Sequence, residues 1–249
     1  LSLHAAKCDS LEGEVMMIYF RQLFDTSSST YTYLLGDLTH HEAVLIDPVR
    51  EHLALYLSLL DEQKLKLRCV LETHIHADHI TGASLLREQT GAQIMMRQQD
   101  STKCADVQLK EGDTVQFGAE TITVLATPGH TAGCASYLWR DRLFTGDALL
   151  IGTCGRTDFQ GGDAGMLHDS ITQKIWPLPG ETLIYPGHDY QHKHVSSVAQ
   201  ERESNPRLTG KSRDEFIAIM SGLNLPMPLL IDSAVPANQH CGHDEPRAA

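Results

Sequence analysis

The chain has 249 residues, 41% hydrophobic and 21% charged, the composition of a folded protein with one large domain or two small ones. Its 20 Lys and Arg stand against 32 Asp and Glu, a net charge of -12 that excludes a nucleic-acid-binding surface and requires any anionic substrate to be met by local cations. No apolar run reaches the roughly 18 residues of a membrane-spanning helix.

Residues 1–15 do not begin with Met and hold Asp9, Glu12 and Glu14 without any Arg. They read as a vector-derived or disordered leader rather than a signal or transit peptide. Strand-like runs rich in aromatic and branched residues follow at 17–24 and 30–36, then a short apolar strand at 43–47 before Pro48. Leu53, Tyr56, Leu57 and Leu60 recur at i, i+3, i+4 and i+7, one face of a helix. A buried strand over 67–73 runs into a polar loop, with a helix at 82–90 and a strand at 92–96 beyond it. Residues 114–127 form a hairpin about Gly118 and Ala119, and 134–139 and 142–146 add two strands. Leu167, Ile171 and Ile175 mark another helical face, 182–186 another strand, and 192–222 reads as mostly helical before a Pro-rich tail. Paired strands giving way to strand–helix alternation indicate a mixed α/β architecture with antiparallel pairs.

The six cysteines, Cys8, Cys69, Cys104, Cys134, Cys154 and Cys241, include no C-x-x-C pair, which excludes a zinc knuckle or a thioredoxin-type motif. Scattered as they are, they are expected to be free thiols in a reducing compartment. Cys154 reads as a buried structural cysteine rather than a redox-sensitive one.

Histidine is the anomalous residue, with 14 copies. His74, His76, Asp78 and His79 crowd into six residues at the end of the 67–73 strand, in THIHADH. Alternation sends His74 and His76 to one side and turns Asp78 and His79 to the other. Three more donors sit in turns directly after strands: His130 in TPGHT, Asp147 in FTGD and His188 in YPGHDY. Taken singly, each of these three is an ordinary turn residue; together with the first cluster they indicate a metal site built by loops at strand ends. No cysteine joins the cluster, which disfavours a closed structural zinc site and favours catalysis. His40, His41, His52, His192 and His194 read as solvated. Spacing alone favours two zinc ions bridged by hydroxide, held by all seven donors.

The ordered set THIHADH, TPGHT, FTGD and YPGHDY resembles the metallo-β-lactamase superfamily. FRQLF (20–24), TYLLGD (32–37), IDPV (46–49), HADHITG (76–82), GDALLI (146–151), CGRTDFQ (154–160), NPRLT (205–209), LNLP (223–226) and AVPAN (234–238) are similar to its persulfide dioxygenase family. One departure is Gly152-Thr153, where a basic residue followed by glycine is expected.

The resemblance implies a four-layer αββα sandwich, with 16–249 as one catalytic domain whose C-terminal part is helical. It implies a sulfur dioxygenase that oxidises glutathione persulfide with O2 and water to sulfite and glutathione. The cofactor implied is one Fe(II) per chain on His74, His130 and Asp147, a two-imidazole, one-carboxylate set that leaves positions open. His76, Asp78, His79 and His188 then become outer residues that orient ligands and water by hydrogen bonds. Glutathione brings two carboxylates, and Arg156 is the expected clamp, against an internal pair with Asp158. Tyr190 is expected either to donate a hydrogen bond to the substrate or to pack, and Arg207 to cap or pair locally. A homodimer and a separate sulfurtransferase partner fit the resemblance. The expected location is a bacterial cytoplasm, ahead of the mitochondrial matrix. The alternative is a glyoxalase II-type thioesterase with two metals, acting on a glutathione thioester.

Overall fold

The computed structural model describes residues 17–98, 102 and 104–243. The leader expected over 1–15 lies outside them.

Among the described residues, twelve strands form two six-stranded sheets. The first contains β1 (Ile18–Asp25), β2 (Thr30–Asp37), β3 (Glu42–Ile46), β4 (Lys66–Glu72), β5 (Gln93–Arg97) and β6 (Val107–Leu109), in chain order across the sheet. Its first three strands pair antiparallel and the next three run parallel. The second contains β7 (Thr114–Phe117), β8 (Glu120–Ala126), β9 (Ala135–Trp139), β10 (Arg142–Gly146), β11 (Leu183–Pro186) and β12 (Ser196–Ser197). All its pairs are antiparallel except β10 with β11.

Strand alternation explains the layering. One face of each sheet meets the other sheet in a core that includes Tyr33, Leu35, Val44, Leu71, Trp139, Phe144 and Tyr185. Tyr33, Phe144 and Tyr185 pack ring to ring with centroids 4.8–5.7 Å apart. Each such buried side chain contributes roughly 1.5–3 kcal/mol. The opposite face of the first sheet is covered by α1 (Leu53–Glu62) and α2 (Ala83–Thr90), through Tyr56, Leu59, Leu60 and Leu86. The opposite face of the second is covered by α3 (Ala164–Ser170), a π-type turn over Ile171–Ile175, α4 (Val198–Ser204) and α5 (Arg213–Ser221). The expected helical face of Leu167, Ile171 and Ile175 is fully buried there. Helices outside two sheets make the αββα sandwich.

Three expectations need correction. The stretch 192–222 is only partly helical, since it holds β12 and the turns between α4 and α5. The Pro-rich tail contains α6 (Ile231–Gln239), with Pro236 inside it. Cys104 and Cys241 form a disulfide across 137 residues, a pairing that spacing cannot reveal. Cys69, Cys134 and Cys154 are free and buried. Among the described residues no helix is long and apolar enough to cross a membrane.

Candidate metal centre

All four donor-bearing loops leave strand ends at one edge of the sandwich. The loop after β4 starts at Thr73, whose carbonyl accepts from Ala135 N at 2.8 Å and so ties the first sheet to the second. Strand β10 breaks register at Gly146, and this kink projects Asp147. A side chain at Gly146 would begin 2.6 Å from Thr73 Oγ1, and one at Gly187 would begin 2.7 Å from Asp147 Oδ1. Both glycines therefore permit the close approach of neighbouring loops.

His74, His130 and Asp147 bring one ligand atom each within 4.8 Å of one another, all three buried. The proton positions follow from their partners. Thr73 Oγ1 donates to Asp47 Oδ2 at 2.8 Å, so its oxygen accepts from His74 Nδ1 at 2.9 Å. His130 Nδ1 faces only an acceptor, the carbonyl of Arg156 at 2.7 Å, and must donate to it. Both imidazoles are thus held with Nε2 unprotonated, the form that binds a metal. Burial, reinforced by His76 and the other rings, holds His74 well below the usual histidine range. Burial also lowers His130, against the pull of Asp147. Asp147 lies well below the usual carboxylate range: burial would raise it, but His188 overcomes that by charge and hydrogen bond.

The other four donors are arranged differently. His188 faces carboxylates with both nitrogens: Nδ1 donates to Asp147 Oδ1 at 2.6 Å and Nε2 to Asp78 Oδ2 at 3.0 Å. Burial would lower its affinity for a proton, yet these two carboxylates raise it well above the usual range. The same Asp78 oxygen accepts from Thr30 Oγ1 at 2.8 Å and from His79 Nδ1 at 3.0 Å. His76 turns Nε2 toward Asp47 Oδ1 at 3.2 Å and Glu72 Oε2 at 3.5 Å. His76 Nδ1 and His79 Nε2 are buried without a hydrogen-bond partner. His76, Asp78 and His79 also offer ligand atoms within 4.8 Å of one another. All seven donors are therefore in one place, and they fall into two groups.

A cavity of about 700 Å³ opens over His74, His130 and Asp147. Its apolar wall is Phe159 and the segment Leu225–Leu230. Tyr190 also lines it, 67% exposed and stacked on His188 at 5.7 Å. Arg156 reaches the cavity, but its guanidinium is engaged. Nε and Nη2 donate to both oxygens of Asp158 at 2.6 Å, and Nη1 donates to Pro226 O at 2.6 Å. The internal pair with Asp158 is thus what the structure contains. Arg207 donates from Nη1 to Cys154 O at 3.2 Å. Cys154 is 3% exposed, and burial pushes its thiol up to about 11, as suits a structural cysteine. His40, His52 and His194 lie outside the site and are solvated.

Sequence reasoning passes over Asp47, Thr73, Thr30 and Asn238. Asp47, in IDPV, has φ +50 and is 1% exposed, and a buried carboxylate in a strained turn is the signal that marks it. Asn238 donates to the carbonyls of His76 and His79 at 2.9 and 2.8 Å, a contact that only the fold reveals.

Residues 26–188 match the metallo-β-lactamase superfamily. The chain is 49% identical over 239 residues to the mitochondrial persulfide dioxygenase ETHE1 of Homo sapiens, covering 95% of this chain and 93% of that one. It superposes on the crystal structure of ETHE1 from Myxococcus xanthus with a TM-score of 0.88, at 55% identity, covering 90% of this chain and all of that one. A hydroxyacylglutathione hydrolase of Cereibacter sphaeroides is 35% identical over 190 residues, covering 73% of this chain and 71% of that one.

Proposed function

The chain belongs to the metallo-β-lactamase superfamily and, within it, to the persulfide dioxygenase family, and we propose that it oxidises glutathione persulfide with O2 and water, releasing sulfite and glutathione. The metal is one Fe(II) per chain, held by His74, His130 and Asp147. The observation that carries this reading is the fixed tautomer of both imidazoles beside a carboxylate kept ionised. Two imidazoles and one carboxylate are the donor set suited to non-haem Fe(II). When bound, Fe(II) would offer open positions that bring a soft sulfur anion and dioxygen together, and the outer persulfide sulfur gives up the four electrons that dioxygen takes.

The chain's own residues do the rest. His188 donates to Asp147 Oδ1 and so directs Oδ2 toward His130, whose Nε2 lies 3.6 Å from it. Both nitrogens of His188 are spent as donors, which leaves it no lone pair for a second metal. Oδ2 of Asp78 takes three donors. This speaks for one metal and against the two-metal thioesterase reading. Phe159 and the 225–230 segment give the reacting sulfur an apolar wall to lie against.

The substrate's carboxylates need cations in a chain of net charge -12. Arg156 is engaged by Asp158 and shapes the cavity by holding its apolar wall. Arg207 lines the cavity, and Lys193 offers a second cation. Lys193 Nζ lies 3.5 Å from the point where a side chain at Gly152 would begin. It thus places charge where the resemblance expects a basic residue at 152. Its groove shares Leu150, Thr153, His188 and Tyr190 with the main cavity.

Oxygen uptake by the Fe(II)-loaded protein tests the proposal. Uptake dependent on glutathione persulfide, with sulfite formed and no cleavage of a glutathione thioester, is expected. Thioester cleavage without oxygen uptake would assign the chain to the hydrolases.

A further inference from the structure

We propose that α6 is a redox-fastened brace on the metal-bearing loop, with Asn238 as its positioning residue and the Cys104–Cys241 disulfide as its fastening. Asn238 is 4% exposed, and its amide is spent on one short stretch of chain. Nδ2 donates to His76 O and His79 O, and Oδ1 accepts from Thr81 N at 2.9 Å. Without this amide, two buried carbonyls and one buried N–H of the loop lose their partners, an arrangement folded chains avoid. The loop so held carries Asp78, Asp78 binds His188, and His188 binds the ligand Asp147. A shift of the loop therefore reaches Asp147 through direct contacts.

Core burial does little to hold α6 in place. Within it only Ala234, Ala237 and Asn238 are buried, it contains Pro236, and it follows the exposed residues Met227, Leu229 and Leu230. What secures it lies at its C-terminal end. Cys241, three residues after Asn238, is bonded to Cys104 just before β6, and its carbonyl accepts from Ser84 N at the start of α2. The disulfide thus ties the brace to the first sheet beside the loop it steadies.

Cys104 is half-buried and Cys241 buried, so of the two sulfurs that of Cys104 is the one for a small thiol to attack. Two thiol molecules release the brace. The S–S bond breaks, Cys104 and Cys241 gain two electrons and two protons, and the thiols leave as their own disulfide. The reaction proposed above liberates a thiol of this class. The brace itself rests on the assignment of the triad as the metal site and not on the chemistry performed there, because metal retention reports it directly.

The test is the rate at which the Fe(II)-loaded protein loses iron to a chromogenic chelator, without oxygen. Untreated protein is compared with protein treated with dithiothreitol, and with Asn238→Asp, Cys104→Ser and the double variant. Asn238→Asp keeps the acceptor and removes both donors. Loss is expected to quicken about tenfold on reduction or in either variant, the range for outer partners of metal ligands. The double variant should lose iron no faster than the quicker single, because both changes act through one brace. Dithiothreitol should leave Cys104→Ser unaffected. Unchanged loss on reduction, which needs no variant to fold, would overturn the proposal. So would effects that multiply in the double variant, or variants whose metal-free forms melt lower while iron loss stays the same.

Discussion

Two groups of donors lie side by side in this site and carry their protons in opposite ways. In His74 and His130 the outer nitrogen holds the proton and the inner one is bare, because Thr73 Oγ1 and Arg156 O can only accept there. In His188 both nitrogens donate, because carboxylates flank them. Residue type alone makes all three equivalent metal ligands. On the proposed assignment, the second partner of each ring separates the rings that bind metal from the one that holds a ligand in place.

The sharpest way to test that contrast is to delete from each group. Asp147→Ala or His130→Ala should abolish stoichiometric iron and lower activity by more than the roughly 100-fold that an outer partner costs. Metal analysis beside turnover reads this. His188→Asn should leave one metal per chain and lower metal affinity or turnover by about 10–100-fold. If His188 were itself a ligand, its removal would reduce the metal count.

The contrast also has a pH signature in the metal-free protein. His74 and His130 have depressed values in the fold, so below the unfolded value near 6.5 the unfolded chain binds more protons and stability falls with acid. His188 has a raised value, so above about 6.5 the folded chain binds more protons and stability falls as pH rises through that raised value. Asp147 is depressed, so its contribution is present above about 3.9 and is lost as pH falls toward its folded value. These groups together place the best melting temperature near pH 6.5, in a scan across pH 4–9. His188→Asn should flatten the alkaline limb and His74→Asn the acid limb. A profile unchanged by both would show that the two groups of rings do not differ in protonation.

The smallest effect belongs to the cavity mouth. Lys193→Glu should raise KM for glutathione persulfide severalfold with little change in kcat, since an exposed charge contributes about 1 kcal/mol or less. A fall in kcat alone would remove Lys193 from substrate recognition.

Much of this was legible in the residues. Strand-ending motifs such as FTGD and YPGHDY reveal where the site lies because the turn residues that position a side chain stand beside it in sequence. The strands over 18–25, 30–37 and 114–126 follow from aromatic and branched runs with Gly118 at a turn. What depended on distant partners was not legible. Arg156 reads as a clamp until Asp158 and the carbonyl of Pro226 are seen on its guanidinium. α6 hides behind Pro236, and nothing near Cys104 points to a partner 137 residues away. The protons of His74 depend on Asp47, which acts through Thr73. β6 and β12, three and two residues long, are too short for any period to show.

Anomalous diffraction collected at the iron and zinc edges from crystals of the purified protein addresses the assignment of donors directly. One iron peak among His74 Nε2, His130 Nε2 and Asp147, with no second peak beside Asp78, His79 and His188, is the expected result. Two zinc peaks, one of them on Asp78, His79 and His188, would contradict it.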